Sequence, residues 1–408
     1  MPDHPLVSPT ASIRAGNRAT VVGGGVGGLF TAHALARAGL QVTVLEQAFA
    51  LTEVGAGLQL APNATRLLSR AGLLDSIVAK AVRPVASHLR TARSDRAVLR
   101  YPLGAVIEAR HQAPYLHVHR ADLLDTLKNA VATTGAEIRL NARVVHATAE
   151  NCTLENGEVI EHDLLVGADG VKSTIRQIMT AREGDQETEL EFTGSIAWRA
   201  TFPSPPTTEQ PLTEIWMAPG RHLVSYKLRG GTLTNLVAVE DRDEWTTESW
   251  SQPGDPNLLL RTFSDFAHRP RSLLSSVENC FIWGIFNHPA PETMAKGNFA
   301  LLGDAAHAAP PFGAQGAAMA IEDGAALAKV ILVEQDLETA LKRYSKARCA
   351  RVTDVLNWSL SNGRMFHQSN LFQRAFNYAY LGVGSRLSPG TVAQRMDWLY
   401  GYDAELEV

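Results

Sequence analysis

Three glycines near the start of the chain have the spacing that allows a backbone to hold a phosphate group. Gly23, Gly25 and Gly28 form the pattern G-x-G-x-x-G, and Val26 lies within it. In this pattern the first glycine permits a tight turn, the second lets a phosphate approach the backbone, and the third allows a helix to pack closely on a strand. The N–H groups that open the following helix attract a pyrophosphate. The pattern therefore predicts a dinucleotide-binding site that includes Val26.

A carboxylate follows where a ribose partner is needed. Glu46 ends the apolar run QVTVLE, roughly 20 residues after the glycines, and can accept a hydrogen bond from a ribose hydroxyl. An acid at this position suits an adenosine ribose without a 2′-phosphate. The pattern by itself permits either FAD or NAD.

These residues need a strand, a helix and a second strand to position them. The run RATVV before the glycines predicts the first strand, and LFTAHALARAG after them has helical spacing that ends at Gly39. The run that ends at Glu46 predicts the second strand. Together they predict one βαβ unit at the start of the chain.

Two later segments place an aspartate beside a glycine at the end of an apolar strand. The first, GADGVKS at residues 167–173, contains Asp169. The second, GDAAH at residues 303–307, contains Asp304 and precedes PPFGAQG at residues 310–316. Both segments repeat the arrangement of a buried strand followed by a polar glycine turn.

Together with the fingerprint and HRADL at residues 119–123, these segments resemble the group A flavoprotein aromatic hydroxylases. That family includes salicylate, hydroxybenzoate and 6-hydroxynicotinate hydroxylases, and the similarity covers nearly the whole chain in the same order. The resemblance implies a single-component FAD-dependent monooxygenase that hydroxylates a small phenolic aromatic with NADH or NADPH and O2, through a flavin C4a-hydroperoxide. It also implies a homodimer.

The resemblance further implies which residues hold FAD. The carboxylate of Asp304 would bind a ribityl hydroxyl, and the helix after Gly313 would point its N-terminus at the flavin pyrimidine edge. A helix dipole there stabilises the anionic reduced flavin by about 0.3–2 kcal/mol. For Asp169 a plain turn and for Arg120 a solvated helix start remain the alternatives. Beyond the fingerprint, the implied cofactor residues are Gly57, Arg120, Asp169, Gly303, Asp304, Gly313, Gln315 and Gly316.

Four residues are candidates for the substrate site. Gln59 belongs to EVGAGLQL at residues 53–60, which resembles the family's loop beside the flavin ring, and the Pro311 backbone lies where substrate and flavin meet in the family. His222 and Tyr226 are an even number of residues apart, so a strand would present both on one face. They match a histidine and a tyrosine of the family, and such a histidine can take the phenolic proton near neutral pH. Ordinary buried sheet positions remain the alternative for both.

The chain departs from its relatives beside Pro311. Phe312 stands where salicylate and hydroxynicotinate enzymes often carry histidine, and the glutamine of some 3-hydroxybenzoate hydroxylases is missing. These differences predict an apolar wall at that position. Candidate partners for a substrate carboxylate are Arg199, Arg221 and Arg229.

The predicted fold class is α/β: an FAD-binding Rossmann-like βαβ domain, an inserted, mainly antiparallel β-sheet substrate domain and a C-terminal helical region. We expect a flexible tail at residues 1–16. The FAD-binding domain is predicted to be discontinuous, at residues 17–181 and 281–340. The β-sheet domain is predicted at residues 182–280, and the helical region at residues 341–408.

Composition limits the possible functions. The chain has 408 residues, a net charge of −4 and 45% hydrophobic residues, which is ordinary for a globular protein and does not favour nucleic-acid binding. No run approaches about 18 apolar residues, so no membrane span is expected. Three cysteines without a C-x-x-C pair argue against a disulfide scaffold or a metal site and favour the cytoplasm.

Two other functions stay open at this point. A flavin dehydrogenase or oxidase could act on a C–H or C–N bond without inserting oxygen, and a non-catalytic module could merely bind a flavin or nucleotide. The sequence contains one full dinucleotide fingerprint, whereas a reductase with separate FAD and NAD domains normally needs two. We therefore expect the nicotinamide cofactor to bind transiently.

Overall fold

The computed structural model describes residues 16–51, 57–180, 190–205, 207–245, 252–387 and 389–408. The predicted tail therefore lies outside the described residues, apart from Gly16. Residues 53–56 of the glycine-containing loop also lie outside them.

The described strands are distributed over the whole length of the chain. Their bounds are β1 Arg18–Val22, β2 Gln41–Leu45, β3 Gly57–Leu60, β4 Ala86–Thr91, β5 Ala97–Pro102, β6 Leu116–His119, β7 Glu137–Arg139, β8 Val144–Ala147, β9 Asn151–Leu154, β10 Val159–Glu161, β11 Leu164–Gly167, β12 Glu191–Pro203, β13 Leu212–Ala218, β14 Arg221–Leu228, β15 Leu233–Asp241, β16 Gln252–Gly254, β17 Cys280–Asn287, β18 Ala295–Lys296 and β19 Phe299–Leu301.

The helices connect these strands and dominate the end of the chain. Their bounds are α1 Val26–Arg37, α2 Pro62–Arg70, α3 Leu74–Val78, α4 Gly104–His111, α5 Arg120–Ala132, α6 Thr174–Thr180, α7 Pro256–Thr262, α8 His268–Ser275, α9 Asp304–His307, α10 Gly316–Val333, α11 Leu337–Phe366, α12 Leu371–Leu387, α13 Pro389–Gln394 and α14 Asp397–Tyr400. Short 3-10 turns occur at Arg229–Gly231 and Pro311–Gly313. Within the described residues, no helix has the length and apolar character that a membrane span requires.

A six-stranded sheet carries the predicted βαβ unit. Its strand order is β18-β19-β11-β1-β2-β7, and every pairing is parallel except that of β18 with β19. Strands β1 and β11 are almost entirely buried, as is typical of parallel strands covered on both faces. The predicted α/β fold class and the opening βαβ unit are confirmed.

An eight-stranded sheet forms the second layer of the molecule. Its order is β16-β17-β12-β15-β14-β13-β4-β5, and it is antiparallel except where β4 pairs with β13. The sheet extends beyond the predicted residues 182–280: β4 and β5 come from the segment assigned to FAD binding, and β17 continues to Asn287. Parallel pairing between distant segments leaves no turn signal in the sequence, so the pattern missed these strands.

The C-terminal region is helical, as predicted, and its helix α11 forms buried ion pairs with helix α10. Arg348 and Arg351 on α11 are buried and form ion pairs with Glu322 and Asp323 on α10. Burial by itself would raise the pKa of Asp323, but His307 and Arg348 outweigh it and bring that pKa to about 2. Nε2 of His307 donates to the same carboxylate at 2.6 Å, so this histidine helps to hold α10 in place.

Candidate active site

One cavity of about 530 Å³ is lined by residues that follow strands of the six-stranded sheet and by strands of the eight-stranded sheet. Its lining includes the fingerprint, through Gly25, Val26 and Gly28, and the central strand β14 of the eight-stranded sheet, through His222 and Tyr226. The structure therefore brings most of the predicted cofactor residues and all four predicted substrate residues to one space. The cofactor candidates outside its lining are Gly23, Glu46, Asp169 and Gln315.

The three fingerprint glycines differ in what surrounds them. Gly23 has φ +111°, and a Cβ atom there would lie 2.2 Å from the carbonyl oxygen of Ala168. A Cβ at Gly28 would lie 1.9 Å from the carbonyl oxygen of Gly23, so β1 and α1 can approach only without a side chain. A Cβ at Gly25 would meet nothing within 4 Å. This open backbone beside a helix N-terminus fits a phosphate group.

Two of the predicted cofactor carboxylates make hydrogen bonds with the backbone. Glu46 accepts from the N–H groups of Gly24, at 2.7 Å, and Ala48, at 2.8 Å. The Asp169 carboxylate accepts from the Ser173 hydroxyl and from the N–H of Ile175, at 3.2 Å, and so caps the start of α6. Burial raises the pKa of Asp169. Both carboxylates thus stabilise turns around the site, and their contact with FAD stays a prediction.

Asp304, in contrast, is exposed in the cavity. It opens the short helix α9 after Gly303, whose φ of +56° favours glycine and whose N–H donates to Asp323 at 2.9 Å. Gly316 begins α10 at the cavity wall, and a Cβ there would meet nothing within 4 Å. Arg120 lines the cavity at the start of α5.

The segment between Pro311 and Gly316 differs in part from expectation. A Cβ at Gly313 would lie 2.3 Å from the Trp358 ring, so this glycine accommodates a tryptophan of α11. The Gln315 side chain is buried and accepts from the amide of Asn63 at 3.0 Å, which directs it away from the cavity lining. Pro311 and the Gly313 backbone remain at the cavity wall.

Strand β14 presents His222, Val224 and Tyr226 to the cavity, as the even spacing predicts. His222 is 2% exposed, and its Nδ1 shares a hydrogen bond of 2.6 Å with Nε2 of His367. Burial, with a smaller contribution from His367, lowers the pKa of His222 well below its usual range. His222 is therefore neutral near pH 7, with one ring nitrogen able to accept a proton.

Tyr226 is held from two sides. Its ring lies 4.6 Å from the ring of His117, and a Cβ at Gly57 would lie 2.6 Å from it. Burial raises the pKa of Tyr226 above its usual range, and burial lowers the pKa of His117 to about 3. Nε2 of His117 shares a hydrogen bond of 2.8 Å with the Thr213 hydroxyl. No sequence motif marks His117, although the alternating run LHVH places it on a strand.

The substrate candidate Gln59 contacts a cluster of tyrosines that no sequence motif predicts. Its Oε1 accepts a hydrogen bond of 2.7 Å from the Tyr115 hydroxyl. The Tyr400 ring lies 5.9 Å from that of Tyr115 and 6.2 Å from that of Tyr101, and all three tyrosines line the cavity. Tyr400 comes from the end of the chain, where no local pattern signals a site.

The three candidate arginines do not line the cavity. Arg221 forms an ion pair with Asp265 at 2.9 Å, Arg229 one with Asp122 at 2.8 Å, and Arg199 lies 5.0 Å from the centre of the Trp283 ring. Among the described residues of the lining, Arg120 is the one arginine or lysine. The predicted apolar wall is present, because Phe312 lies beside His222 with ring centres 5.7 Å apart.

Comparisons with known proteins agree with this arrangement. The family model described as FAD binding domain matches residues 17–359. The chain is 33% identical over 408 residues to a 3-amino-4-hydroxybenzoate 2-monooxygenase of Streptomyces platensis, covering 95% of this chain and 96% of the relative. It is 32% identical over 398 residues to 3-hydroxybenzoate 6-hydroxylase 1 of Aquipseudomonas alcaligenes, covering 94% of this chain and 98% of the relative.

The fold is shared with a salicylate hydroxylase solved as a substrate complex. The two structures superpose with a TM-score of 0.79 at 21% identity, over 96% of this chain and 97% of the other. The full-length relatives, the family model and the glycine cradle beside the cavity lead to one conclusion. The chain belongs to the group A FAD-dependent aromatic hydroxylases, which are flavoprotein monooxygenases.

Proposed function

We propose that this protein hydroxylates a small phenolic aromatic acid of the hydroxybenzoate type, using FAD, O2 and either NADH or NADPH. The observation that carries the proposal is the shared cavity, whose lining includes both the phosphate-binding glycines and the face of β14 with His222 and Tyr226. The names of the two hydroxybenzoate relatives support the substrate class.

The residues around the cavity fit FAD. Gly25 leaves its backbone open to a pyrophosphate, Asp304 offers a carboxylate to a ribityl hydroxyl, and the N-terminus of α10 begins at Gly316 on the same cavity. FAD, when bound and reduced, would supply the electrons that activate O2 for oxygen transfer to the ring. The protein's part is to bind and orient both partners.

Removal of the phenolic proton is the step that the side chains can control. Oxygen transfer to an aromatic ring is favoured when the phenol is ionised, and neutral His222 can accept that proton at Nε2. Within the described residues, Nε2 of His222 has no hydrogen-bond partner. Tyr226 and Gln59 can orient the ring through a hydroxyl and an amide. Apolar Phe312 and Trp358 keep water away from the reacting groups.

We also propose that the nicotinamide cofactor binds only transiently. A second cavity of about 370 Å³ adjoins the first, and both are lined by Asp304 and Pro311. Trp283 and Lys172 line this second space. A nicotinamide ring that entered it would lie next to the proposed FAD site without needing a second dinucleotide fold.

The test is a panel of hydroxylated benzoates and pyridines given to the purified, FAD-loaded protein. We expect at least one phenolic acid to accelerate NADH or NADPH oxidation and to gain one 18O atom from 18O2. An oxidised product without 18O would instead support a flavin dehydrogenase or oxidase. A protein that retains FAD but responds to no panel member with product formation would contradict the proposal.

A further inference from the structure

A chain of hydrogen bonds leads from the cavity to the protein surface. Nδ1 of His222 shares a hydrogen bond of 2.6 Å with Nε2 of His367, and Nδ1 of His367 shares one of 2.6 Å with Oδ1 of Asp241. Each of the three groups is hydrogen-bonded to the next one. They do not surround a common point, and no group of three metal ligands occurs within the described residues.

Burial decreases stepwise along this chain. His222 is 2% exposed, the His367 side chain is 8% exposed and the Asp241 side chain is 51% exposed. The first group therefore lines the cavity, while the last is in contact with bulk water. The route crosses the protein where water itself is excluded, since the rings of Phe312 and Phe366 lie 5.7 Å and 5.1 Å from that of His222.

The backbone fixes the two outer groups. His367 caps the C-terminus of α11, and its carbonyl oxygen accepts from the N–H of Gly220 at 3.0 Å. The N–H of Asp241 donates to the carbonyl oxygen of Gly220 at 2.8 Å, and the Ser195 hydroxyl donates to Oδ1 of Asp241 at 3.0 Å. A helix end, a hairpin turn and a strand end therefore fix the positions of His367 and Asp241.

We propose that His367 and Asp241 carry to solvent the phenolic proton that His222 accepts. This inference rests on the proposed function. Nε2 of His222 gains the substrate proton while Nδ1–H of His222 passes its own to Nε2 of His367. His367 then passes its Nδ1 proton to Asp241, whose carboxyl releases it to water. One proton leaves the phenol and one enters the solvent. Each imidazole ends neutral, with its N–H on Nε2 where it was on Nδ1 before.

The relay has a physical reason in the burial of His222. A protonated His222 without an outlet would be a buried cation, and a charge in such a place is costly. The proton would therefore return to the phenolate. Transfer of the proton to the Asp241 carboxylate and on to water leaves no cation in the cavity and keeps the phenolate beside a neutral ring. His367 and Asp241 act through His222 and do not touch the substrate.

The experiment measures proton release when the oxidised, FAD-loaded enzyme binds a phenol, by stopped flow with a pH-indicator dye in weak buffer. The probe is the panel phenol that the wild type hydroxylates fastest, with 3-hydroxybenzoate tried first. We expect His367→Gln and Asp241→Asn to slow proton release about tenfold or more while FAD content stays unchanged. Asp243→Asn is the matched control, because Asp243 is exposed two residues away and forms no ion pair with another described residue.

A rescue measurement separates proton transfer from a displaced His222. In His367→Ala, added imidazole should restore fast proton release, whereas the wild type should not respond. Release within twofold of the wild-type rate in both His367→Gln and Asp241→Asn would overturn the relay. A slow His367→Gln beside a fast Asp241→Asn would overturn the part of Asp241 alone. Failure of the wild type to hydroxylate any panel phenol would instead remove the proposed function and the relay with it.

Discussion

Residues of the same type take different parts in this site. The carboxylates of Glu46 and Asp169 accept hydrogen bonds from nearby backbone N–H groups, whereas Asp304 is exposed in the cavity. His307 is tied to a buried aspartate, whereas His222 lines the cavity with one nitrogen unpaired in the described chain. The partners of each side chain, and not its type, therefore decide which residues can reach a ligand.

Replacing Asp304 should weaken FAD retention. We expect Asp304→Ala to raise the dissociation constant for FAD about tenfold to hundredfold, because a hydrogen bond to a charged group contributes about 1.5–3 kcal/mol. Flavin fluorescence during titration of the apoprotein measures this constant. The control is Asp125→Ala, which removes an exposed aspartate of α5. An unchanged constant in Asp304→Ala would count against the ribityl contact.

Replacing His222 should separate flavin reduction from hydroxylation. We expect His222→Ala to bind FAD normally but to hydroxylate more slowly and release more hydrogen peroxide, since the phenol keeps its proton. Product formation and peroxide, each measured per NADH or NADPH consumed, give the coupling. His268→Ala removes an exposed histidine and serves as the control. Wild-type coupling in His222→Ala would argue against a proton-accepting role.

At the scale of elements, the junction of β1 and α1 has separate requirements for packing and for binding. Gly28 lies where α1 meets the carbonyl oxygen of Gly23, while Gly25 faces open space. The same substitution should therefore have different effects at the two glycines. Both positions belong to one fingerprint, so the sequence pattern alone does not tell which glycine serves packing and which serves phosphate binding.

The two alanine variants test this difference. We expect Gly28→Ala to destabilise the apoprotein by about 3 kcal/mol through overpacking. Gly25→Ala should leave apoprotein stability within about 0.5 kcal/mol of the wild type but weaken FAD binding, since its methyl group fills the space for the phosphate. Urea unfolding of the apoprotein and FAD titration measure the two effects. Equal stability of the two variants would contradict the assignment of Gly28 to packing.

At the scale of the whole molecule, segments distant in sequence assemble the cavity. Strand β4, helix α11 and the last turn at Tyr400 all contribute lining residues. Tyr226 depends on His117 from β6, a buried histidine that must stay neutral in the folded protein. This dependence makes the stability of the molecule sensitive to acid.

Acidification should therefore destabilise the protein in part through His117. Its pKa is about 3 in the folded state and about 6.5 when unfolded, so stability present above pH 6.5 is lost as the pH falls towards 3. Between pH 7 and pH 5 we expect His117→Gln to lose about 2 kcal/mol less than the wild type. Urea unfolding at both pH values measures the difference. His268→Gln should follow the wild type, and an equal loss in His117→Gln would refute the contribution.

The sequence by itself determined the family and the cofactor motifs. The spacing of Gly23, Gly25 and Gly28, the position of Asp304 and the shared face of His222 and Tyr226 depend on local periodicity, which a linear pattern records. The predicted α/β class and the helical C-terminus are local properties as well, and both were confirmed.

Only the tertiary structure decided which side chains meet. His367 is 145 residues from His222, and Asp241 is 126 residues from His367, so no local pattern links them. The same holds for Trp358 against Gly313 and for β4 beside β13. Contacts of this kind arise from packing between elements, where spacing along the chain carries no information about distance in space. The cavity, its neutral tyrosine lining and the route from His222 to the surface are therefore properties of the folded chain.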